Sequence, residues 1–177
     1  IRLVRSFDQR SHNYLGYCLR LTGTLAGRPA EFSIGIGAAA QSKHAFRVGD
    51  VVAGSSVPVS DPNVEPVEYY RTSGLRLVGR AEESPSAAPP WQGVPPDLPT
   101  YRARGHRRLD PRTYEASCVT CIWGCRMPVE IIVDQWNPAR KKYRFETFCY
   151  GPKSCPEYRA GAARKVPGQG HDVGGGR

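Results

Sequence analysis

Residues 15–37 read LGYCLRLTGTLAGRPAEFSIGIG, and the reading of this stretch decides the fold class. Leu15, Tyr17, Leu19 and Leu21 alternate with Gly16, Cys18, Arg20 and Thr22. A period of two buries one face of a β-strand. Ala26-Gly27-Arg28-Pro29 has turn chemistry. Phe32, Ile34 and Ile36 then alternate with Ser33, Gly35 and Gly37, giving a second strand and a hairpin. Two glycines on one face predict strong bending or a close approach of backbone.

The strand pattern continues to residue 80. Residues 46–54, FRVGDVVAG, set a Gly-Asp turn between apolar positions. Val57 and Val59 extend a strand that Pro58 and Pro62 mark as an edge, and Leu75 and Leu77 flank Arg76 in a last one. Residues 41–45 fit a short helical turn. Several short strands with glycine-rich bends suit a small closed barrel. FRVGDVVAG resembles the stretch common in OB-fold and related small barrels, where the Gly-Asp turn starts a strand crossing the barrel. That resemblance implies an OB-like barrel over residues 1–80.

Composition narrows the rest. The chain has 177 residues, with 19 Gly and 16 Pro, so long uninterrupted helices are not expected. No apolar run approaches the ~20 residues of a membrane span. A membrane protein, a coiled coil and a helical bundle are thereby excluded, and a mainly β chain remains. Residues 82–100 carry Pro85, Pro89, Pro90, Pro95, Pro96 and Pro99 around Trp91. Residues 81–112 are expected to be a linker, first Pro-rich and then Arg-rich, with Trp91 docked on a neighbouring surface. Residues 167–177, PGQGHDVGGGR, are expected to be a disordered tail.

Five of the six cysteines lie in the C-terminal half: Cys118, Cys121, Cys125, Cys149 and Cys155. The first three read C-x2-C-x3-C and the last two C-x5-C. Between them lies a hairpin pattern, with Val129, Ile131 and Val133 on one side facing Tyr143, Phe145 and Thr147. Asn137-Pro138-Ala139-Arg140 supplies its turn. Strand pairing brings the cysteines at its two ends together, and four thiolates suit tetrahedral Zn²⁺. Residues 113–166 resemble a zinc ribbon: a CxxC knuckle, a hairpin and a second cysteine pair. Cys118, Cys121, Cys149 and Cys155 are the preferred ligands, with Cys125 able to replace one of them. An iron–sulfur cluster meets the same ligand count, and disulfides would be expected in an exported chain. No basic-then-apolar export signal is seen in these residues, so a reducing cytoplasm is the expected setting. Catalytic zinc needs an open position beside a His or Glu. Glu115, Glu130 and His106 have no such spacing to the cysteines.

The net charge is +9, and residues 101–166 carry 14 Lys+Arg against 6 Asp+Glu. A field of that sign attracts polyanions. Arg102, Arg104, Arg107 and Arg108 form one cluster; Arg140, Lys141, Lys142 and Arg144 form another at the expected hairpin turn. Arginine forks phosphate oxygens, and Tyr143 and Trp123 offer faces for unpaired bases. The alternative is a solvated face in which Glu130 and Asp134 pair with Lys142 and Arg144 across the strands. No phosphate loop, dinucleotide fingerprint, H-E-x-x-H or G-x-S-x-G is present.

The expected function is a zinc protein that binds RNA or single-stranded DNA without catalysis of its own. Two rivals stand beside it, an iron–sulfur protein and an accessory or scaffolding subunit with a protein partner. The last is similar in parts to a family of acyl-CoA-associated proteins, which places its zinc ribbon before the barrel.

Overall fold

The computed structural model describes residues 2–4, 13–83, 89–132, 136–137 and 139–163. The tail at 167–177 and the hairpin positions Val133, Asp134 and Pro138 lie outside them. The chain is mainly β, in two sheets.

The first sheet holds β1 (Arg2–Val4), β2 (Asn13–Leu25), β3 (Arg28–Gly37), β4 (Val51–Pro58) and β5 (Tyr69–Gly79). The β2/β3 register sets Tyr17 against Ile36, Leu19 against Ile34 and Leu21 against Phe32, so the alternating residues do share one face. The turn is tighter than the sequence suggested. Only Ala26 and Gly27 form it, both left-handed (φ 49° and 79°), while Arg28 and Pro29 already pair with Leu25 and Thr24. Two central residues at positive φ match the twist of the strands they join. The close backbone approach falls on Gly16, where a Cβ would lie 2.0 Å from the Ile36 carbonyl oxygen.

α1 (Ala38–His44) follows β3, starting earlier than the expected 41–45. It ends at left-handed Ala45, whose N–H donates to the Gln41 carbonyl at 2.7 Å. The Gly-Asp turn ties the ends of β4 and β5 together. Asp50 accepts from the Arg47 and Ala81 N–H groups and pairs with Arg80 at 2.9 Å.

The sheet order is β1-β2-β3-β5-β4, with β3 and β5 parallel. The barrel does not close. Among the described residues β1 and β4 are the two edges and do not pair. Closure needs an uninterrupted row of hydrogen bonds, whereas β1 has three residues and the β4/β5 register slips at three places.

The second sheet, in the order β6-β8-β7, holds β6 (Arg107–Arg108), β7 (Gly124–Ile132) and β8 (Lys141–Cys149). Its hairpin register corrects the expected facing by one residue. Val129 lies opposite Arg144, Met127 opposite Glu146 and Cys125 opposite Phe148. Tyr143, Phe145 and Thr147 therefore sit on the other face from Val129. Arg144 pairs with Glu146, two residues along its own strand, rather than across to Glu130.

The segment expected as a linker carries a packed helix. α2 (Leu98–Arg104) starts at Asp97, whose carboxylate accepts from the Thr100 N–H at 3.1 Å. Its Tyr101 is 0 % exposed and donates its hydroxyl proton to the Ile122 carbonyl. Tyr17 donates to the Pro96 carbonyl at 2.8 Å. One core results, in which Tyr17, Ile34, Ile36 and Phe46 of the first half join Tyr101, Met127, Val129 and Phe148 of the second.

Candidate metal centre and basic surface

A short helical passage, α3 (Pro111–Thr113) running into a π-helical turn (Tyr114–Cys118), delivers Cys118. Asp110 caps it by accepting from the Thr113 N–H at 2.9 Å. The chain then turns tightly: the Cys121 N–H donates to the Cys118 carbonyl at 3.1 Å, and the Gly124 N–H to the Cys121 carbonyl at 3.2 Å. Gly124 is required by space. A Cβ there would stand 2.3 Å from the Cys118 carbonyl oxygen. Cys149 ends β8, opposite both Gly124 of β7 and Arg107 of β6. Cys155 closes a turn by donating its N–H to the Pro152 carbonyl at 3.1 Å.

Cys118, Cys121, Cys149 and Cys155 line one cavity of about 10 Å³, with Trp91 and Tyr158 among its walls. That is room for one water-sized sphere. The sulfurs feel one another. Burial pushes the Cys118 thiol up to about 11, and Cys121, Cys149, Cys155 and Glu157 add to the shift. Burial also raises Cys121, against the opposing pull of the Trp123, Trp91 and Gly124 N–H groups. Two turns repeat one device, an N–H two residues on aimed back at the sulfur: Trp123 to Cys121 at 3.4 Å and Gly151 to Cys149 at 3.2 Å. At Cys121 this donor works against the burial that raises the thiol. Arg107 brings positive charge to the rim, its Nη2 lying 3.8 Å from the Cys149 sulfur. The same nitrogen donates to the Gly151 and Pro152 carbonyls.

Cys125 is elsewhere. It lies opposite Phe148 in the β7/β8 register, one position along from the Gly124–Cys149 pair, so the pleat turns it to the other face from Cys149. It is 2 % exposed in the core beside Met127, and burial raises its thiol to about 11. Neither Glu115, Glu130 nor His106 lines the cavity, while Glu157 does. Among the described residues no group of three or more His, Cys, Asp or Glu is drawn together as a metal-holding cluster. The four sulfurs thus surround a common space without converging to bond length. The donor set, the small cavity and the N–H donors fit Zn²⁺. Sequence reading missed Gly124, Gly151 and Glu157, and assigned Arg107 to phosphate rather than to a place beside Cys149. A glycine three residues after Cys121 and another two after Cys149 were the available signal.

Four of the basic residues have contacts that tie strands and loops together. Arg104 donates to the Tyr150 carbonyl at 2.7 Å and lies over the Trp123 ring at 4.2 Å. Arg107 lies over the Tyr158 ring at 3.9 Å. Arg108 and Arg144 both pair with the buried Glu146 carboxylate. These four arginines bind the fold to itself. Arg102, Arg140 and Lys142 are exposed, Tyr143 is half-buried, and Lys141 holds the register position opposite Ile132. Trp123 is half-buried and packs edge-on against Tyr101 at 5.4 Å.

A wider groove of about 940 Å³ runs between the β2/β3 face and the Cys121 turn. Its arginines, Arg20, Arg47 and Arg126, share the lining with Glu31, Asp50, Glu65, Glu68 and Glu115. The groove is therefore not a track of one sign. Among the described residues no helix is long and apolar enough to cross a membrane.

Comparison with protein-family models, with curated proteins and with solved structures finds no match.

Proposed function

We propose that this chain is a nucleic-acid-binding module without catalysis of its own, organised around a structural zinc ion held by Cys118, Cys121, Cys149 and Cys155. The observation that carries the reading is the common cavity of these four thiols at the root of a hairpin with a basic tip. The zinc would do structural work. A three-stranded sheet with a two-residue edge strand has little core of its own, and a metal at its root supplies the missing cross-link. Iron–sulfur ligation drew on the C-x2-C-x3-C run, and with Cys125 in the core, zinc is the favoured ion.

Support for an OB-like module comes from connectivity. Five strands in the order β1-β2-β3-β5-β4, with a helix between β3 and β4, suit a partly open Greek-key barrel. Arg102, Arg140, Lys141 and Lys142 are the proposed phosphate contacts, while the arginines at 104, 107, 108 and 144 make contacts within the fold.

The test begins with metal analysis and a visible spectrum of protein purified without added metal. One zinc per chain and no colour is the expected result, while iron with visible absorbance overturns the zinc reading. Binding of single-stranded DNA and RNA is then measured against salt. Affinity should fall with a log–log slope of about −2 to −3, from about 0.7 per single-strand phosphate contact over four cations. Absence of binding to any polynucleotide, with a stoichiometric protein partner from native extract, would favour an accessory subunit instead.

A further inference from the structure

We infer that residues 89–92, Pro-Pro-Trp-Gln, are a strap closed over the four-cysteine cavity, and that Trp91 sets how fast a bound zinc ion leaves it. The inference rests on the zinc reading above and adds a gate to that site.

The strap is fastened to the turn that carries Cys121. The Trp91 carbonyl accepts from the Ile122 N–H at 2.8 Å. The Trp91 N–H donates to the Cys121 sulfur. The Gln92 side-chain amide reaches the Thr120 hydroxyl at 3.5 Å. Thr120, Cys121 and Ile122 are thus each held by the strap. Prolines suit the approach to such a site. Pro89 and Pro90 have no N–H, so they wall the cavity without bringing a donor that needs a partner there. The first N–H after them is the one given to Cys121.

The space behind the strap is small. Its volume of about 10 Å³ admits one water-sized sphere. A chelating molecule reaches the sulfurs only once a wall has moved. Leu109, Trp123 and Tyr158 are walls fixed by their packing. Leu109 is 2 % exposed, and Trp123 packs on the core residue Tyr101. The Tyr158 hydroxyl donates to the Arg108 carbonyl at 2.7 Å, and Arg107 covers its ring. Trp91 is half-buried and belongs to neither a helix nor a strand. Lifting it parts the Ile122–Trp91 hydrogen bond and wets one ring, while both sheets keep their pairing. Trp91 is therefore the wall that moves at least cost, and a segment of that kind gates exchange with solvent.

The experiment uses wild type, Trp91→Ala, Trp91→Leu and Trp91→Phe, each loaded with one equivalent of zinc. Release into an excess of a chromogenic chelator gives the rate, a competition titration gives the equilibrium affinity, and circular dichroism checks the fold. A gate slows entry and exit alike and leaves the affinity unchanged, whereas a structural prop changes the affinity. Trp91→Ala should release zinc about tenfold faster, with an affinity within about threefold of wild type, because a half-buried ring no longer has to be wetted. Trp91→Phe should restore most of the slow release, with Trp91→Leu between the two. This order is read even where Trp91→Ala fails to fold. If the folded variants keep the wild-type rate, the strap inference falls while the zinc reading stands. If release quickens only in proportion to lost affinity, Trp91 is a prop and the inference is overturned. If wild type binds no zinc, both fall.

Discussion

A single position separates Cys149 from Phe148, and it decides which thiols can share a cavity. The pleat sends Cys149 towards Cys118, Cys121 and Cys155, and sends Cys125 into the core. The same economy governs Gly124, where a methyl group would collide with the Cys118 carbonyl at 2.3 Å. Backbone cannot yield as a side-chain tip does, so Gly124→Ala must open the turn between Cys118 and Cys121. We expect a loss of about 1–3 kcal/mol, as for overpacking in a tight interior, with weaker metal retention under chelator challenge. Gly23→Ala is the control, since nothing lies within 4 Å of its added carbon. Equal stability of the two variants in urea titrations would refute the close-packed turn.

Among the elements, α2 had the least readable sequence. Prolines at 95, 96 and 99 suggested an extended tether, yet Pro99 falls in the first turn of the helix, where its missing N–H has no partner to lose. Asp97 and Thr100 supply the cap that the prolines concealed. The strands were easier. Tyr17, Leu19 and Leu21 announced β2 by period alone, and Phe32, Ile34 and Ile36 announced β3. The β7/β8 register was not legible, because the sequence does not state how many residues the tip uses, and a slip of one exchanges the faces. The four cavity cysteines were legible as two pairs. What spacing could not decide was Cys125, since its exclusion depends on that register. α2 also yields a test. Tyr101→Phe keeps the ring and leaves the Ile122 carbonyl without its donor. A partly buried acceptor so abandoned costs about 1 kcal/mol, read as a lowered urea midpoint at unchanged m-value. No change would mean that water replaces the hydroxyl.

For the whole molecule, the telling fact is that one core serves both sheets. Residues 1–80 and 113–166 are distinct in composition and joined in packing, through Tyr101 and the Tyr17–Pro96 hydrogen bond. Unfolding in urea should therefore give one transition by near-ultraviolet circular dichroism and by tryptophan fluorescence together. Two separated transitions would show that the halves are independent. The charge distribution has the same molecular scale. Arg104, Arg107, Arg108 and Arg144 keep their charge but spend N–H donors on carbonyls and on the Glu146 carboxylate, so the fold holds these side chains in place.

The shared core also bears on how such a chain can be inherited. A tethered pair of domains can be shuffled between genes like beads, because cutting the string leaves each bead whole. Here the string is part of the bead. A recombination breakpoint anywhere between Pro96 and Leu109 would strip Tyr101 from one product or leave it without its pocket in the other. The two halves are bound to travel, vary and be lost together, and substitutions on one sheet will be tolerated according to what stands on the other.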